Sequence, residues 1–322
     1  MKGVLCGGEI LFDFLSKDIG KGLADSVNFE KRPGGSIFNV AVGLRRLGVP
    51  TSFLVKIGMD EFSDGLFKVL KEEGIDTEWV IREKDMKITL AFAAINEAGK
   101  PEFRFCRDRA ADTMLELKDV EKLRTDDYSI YHFGSISLLE EPSSKTYLEI
   151  MERFVKDGKI TSFDPNIRPN LIKNREEYID MVSNIIGKVD IVKMSDDDLE
   201  YLTGERDVEE GMKTFETKEE GIFVVTLGER GAVIRFGGKT VHVPAFKVKV
   251  EETTGCGDAF MSAIIYKVWK NGGIDPNWDE DDLREILIFS NAVSAIVATR
   301  YGAANSMPTL NEVEEFLERN LR

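Results

Sequence analysis

The sequence predicts an α/β fold built on a mostly parallel sheet with helices on both faces. Three observations lead there. After residue 110, apolar strand-like runs alternate with amphipathic helical stretches. The connections between them are short, as crossovers in a parallel sheet are. The chain, at 322 residues, is long enough to bury a core without disulfide or metal staples.

Taken in order, MKGVLCGGEILFDF (1–14) reads as a buried first strand. In GSIFNVAVGLRRLG (35–48), Ile37, Val40, Ala41, Leu44 and Leu47 share one helical face, and Gly48 ends it. Residues 87–105 form two extended runs joined by a turn around Ala98 and Gly99, an antiparallel hairpin that serves either as a lid or as a surface excursion. Strands are expected at 129–133, 160–164, 190–194 and 221–227, with helices at about 143–157, 175–187 and 196–202. The GGKT at 237–240 is not a phosphate loop, because Val233 stands where the first glycine should be; it fits a hairpin turn.

Composition narrows the function. No run of eighteen apolar residues spans a membrane, and the N-terminus lacks the features of a secretion signal. Three scattered cysteines fit a reducing cytoplasm. The net charge of −15 without a basic stripe argues against nucleic acid. Any anionic ligand must then bind where backbone N–H groups, a helix N-terminus and a few Lys or Arg residues make the surface locally positive. Only two histidines occur, His132 and His242, neither near a cysteine in sequence, which disfavours a His/Cys metal cage. A nicotinamide site is disfavoured because no G-x-G-x-x-G follows the first strand.

The strongest chemical signal is VEETTGCGDAFMSAIIYKVW (250–269). A G-x-G turn leads into an apolar-periodic helix, so the amides of Gly255, Cys256 and Gly257 sit where helical donors lack partners and attract a phosphate. Asp258 follows in the first turn, either as a proton acceptor beside that anion hole or as a helix-capping acid. RPGGSIFN (32–39) gives a glycine turn, with Ser36 as a cap and Asn39 able to meet hydroxyls, or merely a capped helix start. Asp13 interrupts an apolar strand, which suits either two ligand hydroxyls or an exposed strand end.

Together and in this order, PGGSIFNVAVGLRRLG and ETTGCGDAFMSA resemble the two signatures of the ribokinase-like (phosphofructokinase B) carbohydrate kinases, over essentially the whole chain. The resemblance implies one Rossmann-like three-layer α/β/α kinase domain spanning 1–322, with a small β-sheet lid from about 12–33 and 87–109. It implies Asp258 as catalytic base, with the anion hole on Gly255, Cys256 and Gly257; the family usually has Ala at the cysteine position. It implies sugar contacts by Asp13, Gly34, Gly35, Asn39, Phe105 and Arg107. DPNIRP (164–169) resembles a block of fructokinases and 2-keto-3-deoxygluconate kinases, adding Asn166 and Arg168. For ATP it implies Lys193, Ser195, Thr226, Gly228 and Asn291, with Gly302 and Ala303 beside the adenine. Asp198 stands where a Glu holds water-bound Mg²⁺, and Glu252 where an Asp accompanies a monovalent cation such as K⁺.

The implied activity is ATP-dependent phosphorylation of a sugar's primary hydroxyl. D-fructose is the first choice, because HFGSISLLEEPS (132–143) and DPNIRP look fructokinase-like. The alternative is 2-keto-3-deoxygluconate, whose carboxylate Arg107 or Arg168 would pair. A noncatalytic sugar- or nucleotide-sensing domain is the alternative of another class, and the retained Asp258 speaks against it. The lid hairpin offers a sheet edge through which two copies would form a homodimer.

Overall fold

In a computed structural model, residues 1–98 and 101–321 are described. The strands in chain order are β1 (Gly3–Gly7), β2 (Leu11–Ser16), β3 (Phe29–Gly34), β4 (Thr51–Ile57), β5 (Val80–Arg82), β6 (Leu90–Ile95), β7 (Pro101–Cys106), β8 (Tyr128–Gly134), β9 (Ile160–Asp164), β10 (Ile191–Ser195), β11 (Ile222–Thr226), β12 (Ala232–Phe236) and β13 (Lys239–Val243). The helices are α1 (Gly22–Asp25), α2 (Ser36–Arg46), α3 (Glu61–Glu72), α4 (Ser143–Lys156), α5 (Arg175–Ile186), α6 (Asp196–Thr203), α7 (Val208–Lys213), α8 (Cys256–Lys270), α9 (Glu280–Ala298) and α10 (Leu310–Asn320).

The large sheet runs β13-β12-β11-β10-β9-β8-β1-β4-β5, and its pairs are parallel except those of β12 with its two neighbours. Successive residues feed opposite cores, as a two-residue side-chain period requires. On β11, Ile222 and Val224 enter one core while Phe223 and Val225 enter the other. The first core is filled by α2, α8 and α9, the second by α4, α5 and α6. This is the three-layer arrangement the strand–helix alternation predicts. Strand order reverses at β1, which lies between β8 and β4, and open α/β sheets bind ligands at the carboxyl ends flanking such a switch point.

The N-terminal segment corrects the sequence reading. Residues 1–14 are not one strand: β1 belongs to the large sheet and β2 to a separate four-stranded sheet, ordered β3-β2-β6-β7. The break falls at the glycine pair. A β-carbon on Gly8 would lie 2.4 Å from Cγ1 of Ile37, so α2 packs against bare backbone there. β6 and β7 pair antiparallel, as the hairpin reading expects; of the turn residues named for it, Gly99 lies outside the described residues. The GG of GGKT forms a two-residue turn between β12 and β13, with φ of 54° at Gly237 and 74° at Gly238. Positive φ at both central residues matches the twist of paired strands. Among the described residues, no helix is long and apolar enough to cross a membrane.

Candidate active site

A cavity of about 570 Å³ opens between the carboxyl ends of the large sheet and one face of the small sheet. Leu11, Asp13 and Leu15 of β2, Ala91 and Ala93 of β6, and Phe103 and Phe105 of β7 form its cover. Their spacing of two residues puts them all on one face of the small sheet. Glu9, Ser135, Asn166, Arg168 and Lys193 rise from the ends of β1, β8, β9 and β10, and the N-termini of α2 and α8 close the floor.

Asp258 lies 7 % exposed in the first turn of α8 and lines this cavity. It is not a helix cap; the N-cap is Gly255, which has no side chain to offer. Both carboxylate oxygens are instead held from α2: Ser36 Oγ donates to Oδ1 and Asn39 Nδ2 to Oδ2, each at 2.7 Å. This corrects the reading of Ser36 as a cap. The Ser36 amide donates to Glu9 Oε1 at 2.8 Å, so a buried glutamate satisfies the start of α2. Glu9 is in turn held by Ser137. Burial pushes the Asp258 carboxyl above its ordinary range, opposed by Asn39, Ser36, Lys193 and Arg168. Asn39 Oδ1 is buried with no hydrogen-bond partner among the described residues.

Gly255 has φ of +83°, and a β-carbon there would lie 2.8 Å from Ala303, so glycine is required on both counts. Gly257 occupies the second helical position, where an amide has no carbonyl one turn back. The Cys256 amide departs from the expectation of a free donor: it closes a turn onto the Thr253 carbonyl at 3.2 Å. The Cys256 thiol faces the Ser294 carbonyl, and burial pushes it up to about 11, which makes it a packing group and not a reactive thiolate.

Lys193 brings the positive charge. Its Nζ pairs with Asp164 Oδ2 at 2.9 Å and lies so close to Gly257 that a β-carbon there would stand 2.8 Å away. Burial opposes its charge, but Asp164 and Asp258 outweigh burial and hold its pKa above the ordinary value. Asp164 itself is pushed up to about 6 by burial. The backbone amide of Asn166 donates to Asp164 Oδ1 at 3.0 Å, which holds Asn166 at φ of +36°. Arg168 donates to Asn166 Oδ1 at 2.7 Å.

Asp13 faces the cavity from β2, and burial pushes it up to about 6 against the pull of Arg168 and Arg32. A β-carbon on Gly34 would lie 2.0 Å from Asp13 Oδ2, so glycine there makes room for that carboxylate. Gly35 and Phe105 also line the cavity.

Several expected residues stand elsewhere. Arg107 does not line the cavity; its Nη1 donates to the Ile136 carbonyl at 3.0 Å and Nη2 lies 3.6 Å from Asp112. Ser195 and Thr226 are register partners at the ends of β10 and β11, with Gly228 just beyond, outside the cavity. Asn291 is spent on packing, donating to the Val243 and Pro244 carbonyls at 3.2 Å each. Asp198 differs from a metal-water holder: its carboxylate accepts from the Ile167 amide and from the Ser195 amide and hydroxyl, capping α6. Glu252 lines the cavity, but with Arg32 on it. Glu9, Arg32 and Asp164 are site residues to which the sequence reading gives no role, although Arg32 and Asp164 open two of the motifs it quotes.

A buried acid beside a helix N-terminus and a lysine, under an apolar and carboxylate-bearing cover, defines a group-transfer enzyme that moves an anionic group onto a small polar acceptor. The chain belongs to the pfkB family of carbohydrate kinases, whose sequence profile matches residues 1–310. It is 37% identical over 322 residues to fructokinase-1 of Zea mays, covering 98% of each chain. It superposes on the fructokinase of Xylella fastidiosa with bound ATP at a TM-score of 0.89, with 29% identity and all of both chains covered. A double mutant of the Vibrio cholerae O395 fructokinase with fructose, ADP and a potassium ion gives a TM-score of 0.84, at 25% identity and 98% of each chain.

Proposed function

We propose that this chain transfers the γ-phosphoryl group of MgATP to the primary hydroxyl of D-fructose, giving fructose 6-phosphate. The observation that carries the reading is Asp258, buried in the cavity floor and oriented by Ser36 and Asn39 within the first turn of α8. The sugar sits under the small sheet, with hydroxyls on Asp13, which faces the cavity. The nucleotide approaches from the β10–β11 side, along the shelf of Ser195, Thr226 and Gly228. Lys193 and the N-terminal amides of α8 stabilise the charge on the moving phosphoryl group, the largest contribution in transfers of this kind. Asp258 accepts the hydroxyl proton as the bond to phosphorus forms, and ADP leaves. Mg²⁺ enters as the ATP chelate; three donors already occupy the Asp198 carboxylate, which leaves it little capacity to hold a metal-bound water.

Closure of the small sheet, the lid, excludes water and limits wasteful ATP hydrolysis. Ile19, Val27, Ile95 and Phe103, all in or beside this sheet, are exposed large hydrophobics, which supports a homodimer formed through the lids of cytoplasmic copies. Sedimentation should give twice 36.2 kDa, and Ile95→Glu should shift it to the monomer; a wild-type monomer would reject the pairing.

A coupled ADP-release assay with fructose and 2-keto-3-deoxygluconate side by side decides the substrate. Asp258→Asn should lower turnover by ~10²–10⁴ while ATP still binds. Near-normal turnover in that variant would remove Asp258 from the chemistry. Saturable sugar binding with no phosphorylation by the wild type would favour a sensor.

A further inference from the structure

Arg32 lies on β3 directly opposite Asp13 of β2, so the two side chains share the cavity face of the lid sheet. Its Nε and Nη2 are held by Glu30 at 2.7 and 3.2 Å, a carboxylate whose charge is also met by Lys17. The remaining nitrogen, Nη1, reaches across to Glu252 Oε2 at 3.0 Å, a contact between residues 220 apart in sequence. The same oxygen accepts from the Gly302 amide at 2.9 Å, and the Thr254 hydroxyl also bonds this carboxylate. Ala303, next to Gly302, packs on Gly255. One guanidinium therefore joins the lid strand to the loop that shapes the anion hole.

The carboxylate of Glu252 does not fit a monovalent cation. Of its roughly four lone-pair positions, three face an arginine, an amide and a hydroxyl. The guanidinium at 3.0 Å also repels a second positive charge. Yet Glu252 flanks the anion hole, and without compensation its charge would oppose an incoming phosphate. We propose that Arg32 is a positioning residue that supplies this compensating charge from within the chain, making phosphoryl transfer independent of added K⁺ and coupling the lid to the anion hole. The proposal rests on the kinase reading above.

The test compares wild type, Arg32→Ala and the double variant Arg32→Ala/Glu252→Gln in tetramethylammonium chloride and in KCl at equal ionic strength. Thermal unfolding needs no turnover. K⁺ should leave the wild-type Tm unchanged and raise that of Arg32→Ala by ~2–5 °C, as binding to the folded state does. In kinetics, wild-type kcat/KM should change less than about twofold with K⁺. Arg32→Ala should fall ~10–100-fold in tetramethylammonium, the scale of an unpaired charge left at a polar site, and recover in KCl. The double variant should recover without K⁺. Wild type that K⁺ stabilises and activates rejects the proposal, as does Arg32→Ala that is indifferent to K⁺ or not rescued by it. Wild type that phosphorylates no sugar rejects the kinase reading instead, and the melting curves still decide the cation question.

Discussion

Asp13 and Asp258 are carboxylates kept in a cavity where burial favours their neutral forms, and the proposed transfer needs both ionised. For Asp13 the balance places the pKa at about 6, with Arg168 and Arg32 pulling down against burial. Below that value the group becomes protonated and loses its capacity to accept from two hydroxyls. The fructose KM should therefore rise as pH falls through about 6, while kcat declines only as Asp258 is protonated. Asp13→Asn should raise KM at pH 8 and flatten its pH dependence. A fructose KM that stays constant between pH 5 and 8 in the wild type would take Asp13 out of sugar binding.

At the scale of elements, two helix starts meet: α2 supplies the donors that hold Asp258, and α8 the anion hole of the proposed mechanism. Gly255 is the hinge of this meeting, because it holds φ of +83° against Ala303. Gly255→Ala places a β-carbon in a left-handed conformation, costing ~1–2 kcal/mol, and pushes the 302–303 segment away. The expected outcome is a ~10–10²-fold loss in kcat/KM for ATP, the cost of misplacing a transfer site by about 1 Å, with a lowered Tm. Unchanged kinetics would mean the loop adapts without moving the amides. The α8 start was legible in the sequence because a G-x-G turn before an apolar-periodic helix is a local pattern. The strands β8 to β11 were legible because each feeds two cores and reads as an apolar run. The β1–β2 break was not, since Gly7-Gly8 inside an apolar stretch does not announce that the chain changes sheets. Arg32, Glu9 and Asp164 escaped for a different reason. Their partners, Glu252, Ser137 and Lys193, lie 220, 128 and 29 residues away. Nor could the sequence show that Asp198 caps α6 or that Asn291 bonds the Val243 and Pro244 carbonyls, because those partners are set by the fold.

Across the whole molecule, the buried carboxylates set stability against activity. Asp13 and Asp164 sit at about 6, and Glu9 and Asp258 are also raised by burial. A carboxyl whose folded pKa lies above its unfolded value contributes stability below the unfolded pKa, and that contribution is lost as pH rises through the folded pKa. For Asp13 and Asp164 the window runs from 3.8 to about 6. The half-buried acids Asp18 and Glu30 act in the opposite sense, since hydrogen bonds and ion pairs hold both down at about 2. Their contribution is lost only as pH falls below the ordinary carboxylate range. The net charge of −15 adds self-repulsion at high pH. The ligand-free protein should thus unfold at a higher temperature near pH 5 than at pH 8, although sugar binding weakens there as Asp13 takes up its proton through about 6. Adding MgATP at pH 8 should raise Tm by linkage and narrow the gap, because in the proposed mechanism Lys193 and the α8 amides then meet their anion. Scanning calorimetry from pH 4.5 to 8.5 checks the sign, and a Tm that climbs steadily with pH would show that the buried acids do not govern stability.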